Sequence, residues 1–140
     1  MFIRKMLTVI AVMAVMMMPA LGFAETQVVE GAEAQTMYEE SKSKFYTLRQ
    51  VDKTFILVAP DGTETPKPDE VTVAPGEFIF ITNEEEKIVH NVYDQSDHSW
   101  VLKKQQPGGY AAIAFGKAGV HKLRCAIHPK MKITVNVVES

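Results

Sequence analysis

The sequence predicts an all-β protein, an antiparallel Greek-key β-sandwich of about eight short strands. Three observations carry that expectation. Two segments near the C-terminus alternate apolar and polar residues with a period of two. Turns containing Gly and Pro punctuate the chain at short intervals, as in Ala-Pro-Asp-Gly at 59–62 and Ala-Pro-Gly at 74–76. No stretch of the chain keeps a convincing helical period.

In chain order, residues 1–24 come first. Arg4 and Lys5 precede an apolar run at 6–18 that only Thr8 interrupts, and Pro19 ends it. Gly22-Phe23-Ala24 then supplies small residues for a cleavage site. The pattern is that of a secretory signal peptide processed after Ala24, which places the mature chain in the periplasm or otherwise outside the cytoplasm. A spanning anchor would need roughly 20 apolar residues, more than this run offers, so no membrane association is expected after cleavage. Six of the eight methionines lie in the first 18 residues. A Met-rich copper tract is one reading of them; an apolar export segment is the simpler one.

Residues 25–52 are polar and charged, compatible with a short helix around 34–44 or with disorder, and are expected to form an N-terminal extension. The domain proper is expected to span 53–140. Within it, Thr54–Val58 is a short apolar strand, and 71–73 and 77–82 read as a hairpin around Pro75-Gly76. Further strands are expected at 88–93, 100–103 and 110–115. The two cleanest follow. In 120–125, His121, Leu123 and Cys125 share one face; in 131–137, Met131, Ile133, Val135 and Val137 do.

Charge excludes one class of partner. Cleavage after Ala24 removes Arg4, Lys5 and no acidic residue, turning a formal charge of −2 into −4. With no Lys/Arg block, there is no footprint for nucleic acid. The single cysteine rules out an internal disulfide. In an exported chain an unpaired Cys is a liability or a ligand.

Its surroundings favour the ligand. Cys125-Ala-Ile-His128-Pro-Lys-Met131 puts a thiol, an imidazole and a thioether within seven residues, on the loop between the two best-patterned strands. A second imidazole, His90, lies 35 residues upstream on the 88–93 strand. Two His and one Cys in a plane, with a long axial Met, define the blue-copper site. Soft sulfur ligands suit Cu(I) and imidazoles suit Cu(II), so such a site accepts both oxidation states with little rearrangement. Each residue alone has a plainer reading: a buried structural thiol for Cys125, a strand histidine for His90, a core side chain for Met131. His121 shares a face with Cys125, yet four strand residues separate them by about 13 Å, so it is assigned a structural role. His98 is read as a solvated loop residue, Glu84-Glu85-Glu86 as an exposed turn, and Lys103-Lys104 as a solvated edge.

Val89-His90-Asn91-Val92, the stretch 119–125 and the C-x2-H-x2-M spacing of Cys125, His128 and Met131 resemble the cupredoxins, in particular the amicyanin, plastocyanin and pseudoazurin type. The resemblance covers roughly 53–138. It implies one copper ion held by His90, Cys125, His128 and Met131. It implies that Asn91 ties the His90 strand to the Cys125 loop with its backbone N–H aimed at the sulfur. It makes His128 the solvent-edge ligand and electron port, with Ile127, Pro129 and the 107–109 loop as an apolar collar for transient redox partners. Relatives of this type carry Pro where Ile127 stands. Ile keeps its backbone N–H, so a second N–H···S bond to Cys125 is expected.

The expected function is therefore a monomeric, exported one-electron carrier with a type 1 copper site and no catalytic residues. The alternative is a copper-binding module that stores, delivers or senses the metal. A thiol enzyme is disfavoured because no orienting group or oxyanion hole accompanies Cys125.

Overall fold

The computed structural model describes residues 25–139. The export segment expected at 1–24 lies outside them. Among the described residues, eleven strands form two packed sheets, with one helix against them. The strands are β1 (Gln27–Glu30), β2 (Tyr46–Val51), β3 (Thr54–Val58), β4 (Glu64–Pro66), β5 (Glu70–Val73), β6 (Phe78–Asn83), β7 (His90–Asp94), β8 (Val101–Gln105), β9 (Tyr110–Ala114), β10 (Gly119–Cys125) and β11 (Lys132–Val137); α1 spans Ala32–Ser41. One sheet runs β1-β9-β6-β2-β3-β4 and the other β5-β11-β10-β7-β8.

The predicted sandwich is present, and the period-two segments lie where the pattern put them. On β10, His121, Leu123 and Cys125 are buried, whereas Lys122 faces solvent. On β11, Ile133, Val135 and Val137 face the core. Leu48, Ile79, Ile81 and Ile113 meet Val92, Leu102, Leu123 and Val135 from the opposite sheet in one continuous apolar layer.

Four features differ from expectation. There are eleven strands rather than eight, because short edge strands such as β1 and β4 carry too few apolar residues to stand out. The pairing is not wholly antiparallel: β2 runs parallel to β6, and β5 parallel to β11. Segments 71–73 and 77–82 do not form a hairpin. A turn is present at Ala74–Glu77, with Glu77 N–H donating to Ala74 O at 3.1 Å, but it carries the chain from one sheet to the other.

The fourth difference concerns residues 25–52, expected as an extension. They supply β1, α1 and β2, and β2 lies between β3 and β6 inside the sheet. The boundary at 52/53 falls in the two-residue turn between Val51 and Thr54, which are paired. The helix covers the outer face of its sheet, where Ala34 is fully buried and Tyr38 meets Phe80 edge-on at 5.5 Å. Gly31, at φ 74°, makes the sharp entry from β1 that a side chain would resist.

Candidate metal centre

The site is built where β7 and β10 lie side by side. Cys125, the last residue of β10, pairs with Val92 of β7, and this brings it near His90 at the start of β7. From Cys125 the chain makes a short loop and returns as β11. Cys125 N–H donates to Met131 O at 3.1 Å, and Met131 N–H to His128 O at 2.9 Å. Two backbone bonds thus hold the six-residue loop and carry His128 back toward Cys125.

The result is a compact donor group. Cys125 Sγ lies 3.8 Å from His90 Nδ1 and 3.7 Å from His128 Nδ1. The two imidazole rings are 5.2 Å apart, and the ligating atoms of all three residues lie within 4.8 Å of one another. His90 and Cys125 are buried, and His128 is partly exposed. Met131 is fully buried, and its backbone is bonded to both Cys125 and His128.

His90 is held from behind by a carboxylate. Its Nε2 faces Glu85 Oε1 at 3.3 Å. The same oxygen accepts the Lys53 N–H at 2.6 Å, and Glu85 N–H donates to Asn83 Oδ1 at 3.0 Å. An acceptor facing Nε2 places the proton there and leaves the Nδ1 lone pair free toward the sulfur. Burial pushes the His90 imidazole below its ordinary pKa and the nearby His128 adds to this, while the bond and charge of Glu85 oppose them. The net effect favours the neutral ring, the form that ligates a metal.

Asn83, fully buried, anchors the strand ends beneath this loop. Its Nδ2 donates to Ile88 O and Gln105 O, each at 2.8 Å. Its backbone exchanges bonds with Gly108 and Gly109 of the β8–β9 loop. Neither Glu85 nor Asn83 stood out in the sequence. Glu84, Glu85 and Glu86 are adjacent carboxylates; Glu84 pairs with Arg49, Glu86 is exposed, and only Glu85 turns inward. Nothing in a run of three identical residues ranks one above its neighbours.

Asn91 and Ile127 are the two residues whose backbone N–H groups are expected to bond the sulfur. The register slips between His90 and Val92, and the alternation of β7 turns Asn91 to the outer face. There its Nδ2 donates to Lys103 O at 3.2 Å, so it ties β7 to β8 and leaves the Cys125 loop alone. Ile127 is 63% exposed. Among the described residues, Cys125 Sγ meets the two imidazole nitrogens, and neither the Asn91 nor the Ile127 N–H is among its partners.

His121, assigned a structural role, is buried with Nδ1 2.6 Å from Asp94 Oδ2 and Nε2 3.1 Å from Lys117 O. Trp100 Nε1 donates to the same Asp94 oxygen at 3.3 Å. Asp97 brings a third ligand-type side chain close, but its carboxylate is engaged by Thr26 Oγ1 and Ser99 N–H. With these donor atoms already hydrogen-bonded, the group reads as a buried polar brace. His98 is exposed.

A cysteine sulfur, two imidazoles and a buried thioether-bearing residue beside them fit a soft, redox-active ion such as copper better than a hard, oxygen-seeking one. Comparison with known structures agrees at the level of fold. A reduced Cu(I) form of an amicyanin variant at pH 4 superposes with a TM-score of 0.58 at 17% identity, over 82% of this chain and 100% of the other. An oxidized-state amicyanin variant matches with the same TM-score at 16% identity. Amicyanin from Paracoccus versutus matches with a TM-score of 0.51 at 21% identity, over 68% of this chain and 82% of its own. No protein-family model and no curated protein sequence matches the chain. The protein thus has the cupredoxin fold of the amicyanins, as its sequence resemblance implied.

Proposed function

We propose that this protein is an exported type 1 copper protein that carries one electron at a time between redox partners. The observation that carries the reading is the convergence of Cys125 Sγ with His90 Nδ1 and His128 Nδ1 at 3.8 and 3.7 Å. Met131 is proposed as the weak fourth ligand. Copper, when bound, supplies a one-electron Cu(II)/Cu(I) couple.

The chain's own residues define what surrounds that couple. Burial of Cys125 and His90 excludes water from one side. The Glu85 contact fixes the orientation of the His90 ring, so the donors keep their positions in both oxidation states. A preset donor group limits rearrangement, the main requirement for rapid exchange. His128 is the partly exposed member and is proposed as the port. Ile127, 63% exposed, and exposed Pro129 lie beside it, a small apolar rim suited to brief contacts. The export pattern of residues 1–24 supports placing the protein in the periplasm.

The test is voltammetry of the copper-loaded mature chain. A reversible one-electron wave that is abolished in Cys125→Ala supports a carrier. Tight copper binding without a reversible wave would instead indicate storage or delivery.

A further inference from the structure

A cleft of about 780 Å³ lies between the exposed face of β10–β11 and the β2–β3 turn of the other sheet, bordered by the segment 67–70 that leads into β5. Lys122 and Arg124 of β10, Lys132 of β11 and Lys130 of the metal loop line one wall; Lys53 and Lys67 line the other. Three acids, Asp52, Asp69 and Glu70, share it. Cations therefore outnumber anions two to one in a mature chain whose net charge is −4.

Three features mark this concentration of charge as more than a solvated surface. First, Arg124 and Lys132 are direct cross-strand partners, and like charges placed opposite each other destabilise a sheet. Second, among the described residues no ion pair involves any of the six; the pairs formed engage Arg49, His90 and His121. Third, Asp52, Lys53 and Lys67 of the lining occupy left-handed backbone, φ 50°, 59° and 47°. Lys53 takes a position in the β2–β3 turn where Gly is favoured, and Lys67 stands before Pro68, where only a restricted backbone is tolerated. The fold tolerates local strain at three positions in the cleft lining, two of them cationic.

We infer that this cleft docks a carboxylate-rich protein surface, the acidic face of a redox partner. The inference rests on the proposed carrier role and specifies its partner. Arg124 adjoins Cys125 and Lys130 adjoins Met131 in sequence, so a partner held here sits beside the loop that bears His128. Opposite charge speeds encounter and orients the complex without making it long-lived. Nucleic acid fits less well, because Phe55, the one aromatic residue in the lining, is buried and offers no base a stacking platform. An anionic membrane fits less well because the cations line a concavity without an apolar face to insert.

The probe is a short polyglutamate peptide titrated into the metal-free mature chain and followed by amide NMR shifts. Shifts are expected to cluster at 52–54, 67–70 and 122–134 and to fade with salt. Lys122→Glu combined with Lys132→Glu changes two solvent-facing strand residues and is expected to weaken binding by about tenfold or more. Lys103→Glu with Lys104→Glu, the same charge change on β8 outside the cleft, is expected to stay within about twofold of the parent. Equal losses in the two variants would overturn the inference, as would equally tight binding of a single-stranded oligonucleotide at the same amides. Copper is not needed for this measurement. A mature chain that takes up the peptide yet never forms a redox-active copper site would refute the carrier role alone.

Discussion

Glu85 makes the sharpest single-residue statement about how the site works. Its carboxylate receives the Lys53 N–H and faces His90 Nε2, so it fixes both the ring's tautomer and its direction. Glu85→Ala is expected to weaken copper affinity by about tenfold or more, whereas Glu85→Gln, which still offers an oxygen acceptor, should retain most of it. Competition titration with a copper chelator reads the difference; equal affinities for Ala and parent would show that the contact is idle. The three loop candidates were legible because Cys125, His128 and Met131 fall within seven residues. His90 needed the strand pattern around it. The N–H···S bonds expected of Asn91 and Ile127 are not among the contacts of the sulfur, and a strand pattern does not show where a backbone N–H points.

At the scale of elements, α1 and β2 matter most: the sequence allowed a short helix around 34–44, where α1 (Ala32–Ser41) falls, but the polar composition of 25–52 concealed β2. The helix covers Phe80, which is 1% exposed and also meets Phe45 at 6.2 Å. Phe80→Ala is expected to cost about 3–5 kcal/mol in urea unfolding of the metal-free protein. A loss below about 1 kcal/mol would mean that the helix does not seal that face. On β2, Arg49 grips Glu84 with two bonds, Nε–Oε2 at 2.7 Å and Nη2–Oε1 at 2.8 Å. This hydrogen bond holds the Glu84 carboxyl below the usual range, with Thr82 helping and partial burial opposing. A depressed carboxyl stabilises the fold above its unfolded value near ~4.3 and loses that contribution as pH falls through the lower folded value. Because the pair is partly solvated, Glu84→Gln should cost only about 0.5–1 kcal/mol at pH 7. The gap should narrow as pH falls through the depressed Glu84 value, and a gap that stayed constant on acidification would contradict the ion-pair account. Such pairing between distant segments was not readable from local pattern, because nothing in either segment names its partner.

For the whole molecule, period-two alternation and turn spacing were enough to predict two packed sheets. Strand order was not encoded in that signal, so the parallel pairs β2–β6 and β5–β11 and the cationic cleft emerge only when the sheets are assembled. The sandwich also explains how one end brings the candidate ligands together. β7 and β10 present His90 and Cys125 from rigid neighbours, and the 126–131 loop adds His128 without a long flexible segment. Copper that binds the folded chain alone should raise its unfolding temperature with increasing metal concentration, a gain that Cys125→Ala should lack. The most direct measurement is visible absorption of the purified mature chain during Cu(II) titration. One equivalent should produce an intense blue thiolate-to-copper band that disappears in Cys125→Ala. A colourless complex, or copper binding unaffected by loss of Cys125, would contradict the proposed centre.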